Sequence, residues 1–201
     1  MACLRDLVHG GAPEMAAIEA HLDALGTAER LAEVRSLRRE EQSLLFDAAE
    51  GHRPISLDDI VPHDRGPMQE VVHYGKNSLP AFNHFAKVFV RPESSSPELW
   101  GYNRTGGFLE MIVGPGYFVA YPHTVAGEVL VDYLRLPPRR PESWPRILPN
   151  SARLSIVVYN GTQDILRGVS THVTIGRATK GGRAMSAWFA LCRDDETQAP
   201  Q

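Results

Sequence analysis

Val113-Gly114-Pro115-Gly116-Tyr117-Phe118 sets a proline between two glycines, and that trio between two apolar, aromatic-rich runs. Proline presets φ at about −65° for the second position of a turn, and glycine accepts the positive φ that the third position of a type II turn requires. The stretch therefore reads as a tight turn, and the C-terminal two-thirds of the chain as a succession of β-hairpins. Trp100, Tyr102, Tyr117, Tyr121 and Tyr133 surround it, aromatics with polar tips that suit a cavity wall as well as a core.

Outward from this turn, runs of strand length recur at Val71–Tyr74, Phe85–Arg91, Phe108–Val113, Tyr117–Tyr121, Glu128–Leu136, Leu154–Asn160, Val169–Arg177 and Met185–Arg193. Turn residues separate most of them. Lys180-Gly181-Gly182-Arg183 gives the clearest hairpin signal, a two-glycine turn between matched runs. Strands that follow strands without helices between them predict an antiparallel sheet. Pro137, Pro138, Pro141, Pro145 and Pro149 make a rigid excursion with Trp144 and Ile147 as its anchors, and Gly161–Arg167 reads as a helical turn.

The N-terminal third has a different texture. Residues 1–12 read as a loose arm ending in Gly10-Gly11. Pro13 and Glu14 then open a helix carrying Met15, Ile18, Leu22 and Leu25, closed by Gly26. Thr27 is placed to N-cap a second, longer helix whose stripe runs through Leu31, Val34, Leu37, Leu44, Leu45 and Ala48, with Gly51 as its C-cap. Pro54 to Pro67 reads as a connection held by Leu57, Ile60 and Val61. The expected fold is α+β: two N-terminal helices on a curved antiparallel sheet or partly open barrel of about seven or eight strands. Residues 1–66 form the helical part, 67–193 the β domain and 194–201 a disordered tail.

A net charge of −3 gives no reason to expect nucleic acid or an anionic membrane as partner. The charge is divided unevenly: residues 1–66 carry 13 acidic and 7 basic side chains, residues 67–201 carry 11 and 14. Cys3 and Cys192 make neither a disulfide framework nor a zinc motif, and a reducing, cytoplasmic setting is expected. No apolar run is long enough to span a bilayer, and the N-terminus does not read as a signal peptide.

No motif names a reaction. GxSxG, HExxH and a phosphate-binding GxGxxG followed by a helix are all absent, and Gly75-Lys76-Asn77-Ser78 lacks the first glycine of a P-loop. Two candidate sites remain. Asp132, within an apolar strand, and His172, in a polar Ser170/His172/Thr174 row, would be the proton-transfer groups of a cofactor-independent acid–base enzyme, with Asn103 or a tyrosine polarising the substrate. Alternatively Lys76, Tyr102, Arg104, Tyr117, Tyr121, Tyr133, Arg135 and Arg177 would line a cavity for a small anionic or aromatic ligand. Ligand binding ranks first and the enzyme second. The third reading is an interaction protein whose amphipathic helices form a homodimer or dock on a partner. His73, His84, His123 and His172 could share a metal only through tertiary folding, and the cofactor stays open.

Overall fold

The computed structural model describes residues 3–9, 13–79, 83–105, 115–147 and 161–195. Among these residues, eight antiparallel strands close into a barrel in which each pairs with the next and the last with the first. They are β1 (Val71–Asn77), β2 (His84–Val90), β3 (Leu99–Arg104), β4 (Tyr117–Pro122), β5 (Val129–Asp132), β6 (Thr162–Gly168), β7 (Val173–Lys180) and β8 (Arg183–Arg193). β8 closes the barrel because one of its edges pairs with β7 and the other with β1. Phe189 to Cys192 pair with both strands at once, and Arg193 pairs with His73 of β1.

Among the described residues, five helices precede the strands: α1 (Leu4–His9), α2 (Met15–Asp23), α3 (Thr27–Ser36), α4 (Arg39–Ala48) and α5 (Leu57–Ile60). The first four lay Leu4, Val8, Ile18, Leu22, Val34, Leu37 and Leu45 against Val173, Ile175, Ala190 and Cys192 on the outer face of β7 and β8. The excursion after β5 folds back over β2, β3 and β4. There Trp144 packs on Tyr102 with ring centres 4.8 Å apart and donates its indole N–H to Glu70 at 2.9 Å. Much of the barrel is thus apolar on both faces, which is why its strands read as runs rather than as strict alternations.

α5 plugs one end. Ile55, Leu57, Ile60 and Val61 pack against Val71, Phe89, Leu99, Val129 and Leu166 inside the barrel. A helix end leaves carbonyls without partners, and here the strands supply donors. Arg193 donates to the Asp59 carbonyl at 2.6 Å, His73 to Ile60 at 2.9 Å and Arg91 to Val61 at 3.0 Å.

Several expectations are corrected. The N-terminal arm contains α1, with Leu4 and Val8 fully buried, so it is docked over that length. The long second helix is two: Leu37 and Arg38 leave helical geometry, and the Glu41 carboxylate accepts the Arg38 N–H at 2.6 Å to start α4 afresh. Gly26 rather than Thr27 is the N-cap of α3. Gly161–Arg167 is no helical turn, since β6 occupies Thr162–Gly168 and buries every second residue. β4 pairs with Leu99–Arg104, a strand the sequence hid behind Gly101. Gly116 has a positive φ, 52°, and lies opposite Asn103 of β3, while Gly114 and the runs 108–113 and 154–160 lie outside the described residues. The two-glycine hairpin holds, with Gly181 and Gly182 both at positive φ and Lys180 opposite Arg183. Asp194 and Asp195, assigned to the tail, are tied down: the Asp194 N–H donates to Val72 at 2.8 Å, and Asp195 pairs with Arg193.

Candidate functional site

Alternation along β2 sends Phe85, Lys87 and Phe89 into the barrel, while Ala86, Val88 and Val90 face outward. Lys87 is 1% exposed, and a lysine so placed must have its charge matched. Its Nζ donates to Asn103 Oδ1 at 3.1 Å, to Asp164 Oδ2 at 3.0 Å and to the Tyr133 hydroxyl. These partners come from β3, from β6 and from the residue following β5. The barrel closure therefore assembles the cluster from segments far apart in sequence.

The partners also bond one another. Tyr133 donates to Asp164 Oδ2 at 3.1 Å, and Asn103 Nδ2 donates to the Tyr133 hydroxyl at 3.0 Å and to the Gly116 carbonyl at 3.3 Å. Aromatic rings enclose the ammonium, with the centres of Phe189, Tyr133, Phe118 and Phe85 at 4.9, 5.0, 5.1 and 5.7 Å. Glycines make room for two of these rings. A Cβ on Gly176 would stand 2.2 Å from the Phe189 ring, and one on Gly101 would stand 2.3 Å from that of Phe118.

Burial pushes the Lys87 amine below its ordinary value, and the Asp164 carboxylate opposes that shift. A second titratable group faces the same interior. His73, opposite Lys87 in the β1–β2 register, is driven down to about 4, chiefly by burial. It is therefore neutral at pH 7. Because its Nε2 faces a carbonyl, that nitrogen carries the proton and Nδ1 is the lone-pair atom. Nδ1 is buried and has no hydrogen-bond partner among the described residues.

The expected proton-transfer pair is not brought together. Asp132 is the last residue of β5 and His172 immediately precedes β7. These strands run in the same direction, so the two residues stand at opposite ends of the barrel. Asp132 accepts from Tyr121 at 2.9 Å and from the Leu134 N–H at 2.9 Å, whereas His172 pairs with Asp195. Burial lowers the His172 imidazole and Asp195 opposes it.

Of the expected cavity residues, Tyr133 lies in the interior cluster. Tyr102 and Tyr117 sit on the outer face under Trp144, where Tyr117 donates to the Pro145 carbonyl. Lys76 donates to the Arg35 carbonyl at 2.8 Å, Arg177 to Met185 at 3.0 Å and Arg135 to Glu98 at 2.8 Å. Arg104 rests over the Tyr74 ring, 6.0 Å from its centre. Asn103, expected as a polarising group, is in the cluster, while Lys87 and Asp164 were missed. Their signal was a charge in phase with an apolar strand face: Lys87 between Phe85 and Phe89, Asp164 two residues before Leu166. Among the described residues no group of three or more histidines, cysteines or carboxylates is placed to hold a metal ion. No family model, no curated protein and no solved structure matches the chain.

Proposed function

We propose that the protein binds a small molecule with an apolar or aromatic body and an uncharged hydrogen-bonding head, and that Lys87, Asn103, Tyr133 and Asp164 receive that head. One observation carries the reading: a complete lysine–carboxylate pair, hydrogen-bonded to an amide and a phenol, buried inside a barrel among mostly apolar and aromatic side chains. Burying such a pair is costly, and well-packed apolar residues commonly replace it at no loss of stability. The fold therefore has no need of it. The aromatic rings around the ammonium suit the body of such a ligand. Asp164 already neutralises Lys87, which disfavours an anionic head. The basic residues expected to anchor an anion, Lys76, Arg104, Arg135 and Arg177, make their bonds and stacking contacts outside the cluster.

The ligand would enter from the end opposite α5, where the connections 78–83, 105–116, 133–161 and 181–182 join the strands. An NMR titration with benzyl alcohol tests the reading. Amide shifts are expected to concentrate at residues 86–88, 102–104 and 163–165 and to shrink at least tenfold in Lys87→Met. Shifts confined to the helices, or to the outer cluster around Trp144, would overturn it.

A further inference from the structure

We propose that Lys87 forms a covalent imine with a carbonyl-bearing ligand, an aldehyde or ketone on an apolar or aromatic body, with Asp164 as proton acceptor and counter-ion. The proposal rests on the binding reading above and names the chemistry of its head group. Three features of the interior point to it.

The chain has 3 lysines against 18 arginines, and one of the three occupies the barrel interior. Arginine is the better residue for a buried ion pair, because its guanidinium forks onto carboxylates and is weakly hydrated. A primary amine offers what arginine does not, a nitrogen that can lose its proton and attack carbon. Secondly, the proton acceptor is already in contact, with Asp164 Oδ2 at 3.0 Å from Nζ and also accepting from Tyr133. Thirdly, the aromatic surround excludes water, which would otherwise hydrolyse the adduct. Burial also lowers the amine from its ordinary value, in the direction that frees the nucleophile.

The step balances as follows. The Lys87 ammonium gives one proton to Asp164, and the neutral amine adds to the carbonyl carbon. The π pair moves to oxygen, which takes that proton back from Asp164, leaving a carbinolamine with a protonated nitrogen. One N–H proton then passes to the hydroxyl, water departs, and the nitrogen lone pair closes the C=N⁺ bond. The ammonium and the carbonyl become an iminium and one water, and Asp164 ends as the carboxylate facing the new cation. The Tyr133 hydroxyl, which accepts from the ammonium and donates to Asp164, can turn its proton to the oxygen while that atom carries charge. Asn103 Nδ2 donates to that hydroxyl and supports it there.

Benzaldehyde with borohydride trapping at neutral pH tests this. Borohydride reduces the imine to a stable secondary amine, read by intact mass and peptide mapping. The expected result is one benzyl group on the peptide holding Lys87, formed at least tenfold faster than on Lys76, Lys180 or the α-amino group. It is absent from Lys87→Arg. Asp164→Asn, checked for folding by its amide spectrum, is expected to slow trapping at least tenfold. Benzyl alcohol shifts at residues 86–88 without trapping at Lys87 would overturn the imine and leave the binding reading standing. Loss of both would overturn the two together.

Discussion

The two halves of the barrel interior obey opposite rules. Toward α5, Val71, Phe89, Leu99, Val129 and Leu166 meet Ile55, Leu57, Ile60 and Val61 in a buried apolar plug. Arg193, His73 and Arg91 reach this plug and donate to the carbonyls of Asp59, Ile60 and Val61. Toward the other end, a lysine, a carboxylate, a phenol and an amide share one hydrogen-bonded knot among aromatic rings. Hydrophobic burial is non-directional and tolerates many side chains of the right size. The knot is directional and fails as a unit when one member is lost. Stability is thus concentrated in one half and chemical capacity in the other.

The largest expected effect comes from splitting the buried pair. Asp164→Leu strands an ammonium in an apolar interior and should cost about 3–5 kcal/mol. The double change Lys87→Met with Asp164→Leu should recover most of that, because no charge is left to solvate. Urea unfolding of the two variants decides it. Were the single change to cost no more than the double, the interior would not be holding a charge at Lys87, and the contrast between the halves would dissolve.

His73 links the halves, with one nitrogen on the α5 carbonyl and its register partner in the polar knot. Its folded-state value, about 4, lies below the 6.5 of an unfolded histidine. Between these values the unfolded chain binds the extra proton, so stability rises with pH across that window and falls on acidification. Below about pH 4 both states are protonated and the penalty is complete. The difference amounts to about 3 kcal/mol. His73→Gln, which keeps a donor for the Ile60 carbonyl, should flatten the unfolding free energy between about pH 4 and 6.5 relative to the parent. An unchanged slope would place the acid sensitivity elsewhere.

How much of this was legible in the sequence follows from the range of each interaction. The α+β class, the β7–β8 hairpin and the Trp144 strap rest on local turn chemistry or single large side chains, and the sequence shows them. β3 and β6 were missed because Gly101 and the polar Thr162-Gln163-Asp164 hide a period of two that only neighbouring strands make sense of. The α3–α4 break depends on Glu41 turning back to the Arg38 N–H, a bond that a continuous apolar stripe conceals. The knot was the least legible part. Lys87 and Asp164 lie 77 positions apart in sequence and meet only because β6 and β2 line one closed barrel. The aromatics that the sequence puts forward, Tyr102 and Tyr117, are one residue out of phase with the interior.

A third test addresses the aromatic wall of the knot. Gly101→Ala pushes a methyl group into the Phe118 ring and the Val88 carbonyl. Overpacking of this kind costs about 1–3 kcal/mol. It should also displace Phe118 from the Lys87 ammonium, so ring-current shifts of the lysine side chain should weaken in the NMR spectrum. A neutral outcome with unchanged shifts would mean the ring does not lie flat on Gly101.

The smallest effect should come from the outer face, and it separates the present site from the one the sequence suggested. Tyr121 donates to Asp132 at 2.9 Å, and Asp132 keeps the Leu134 N–H when that bond is lost. Tyr121→Phe removes one hydrogen bond at a half-exposed position, worth about 0.5–1.5 kcal/mol. Because Tyr121 and Asp132 face away from Lys87, benzyl alcohol shifts and benzaldehyde trapping should both match the parent within about twofold, a free-energy change well under 1 kcal/mol. Tyr133→Phe keeps the ring but removes the hydroxyl between Lys87 and Asp164, and it should depress both readouts strongly. Equal responses from the two phenylalanine variants would mean that inside and outside the barrel are not chemically distinct, which the alternation along β5 forbids.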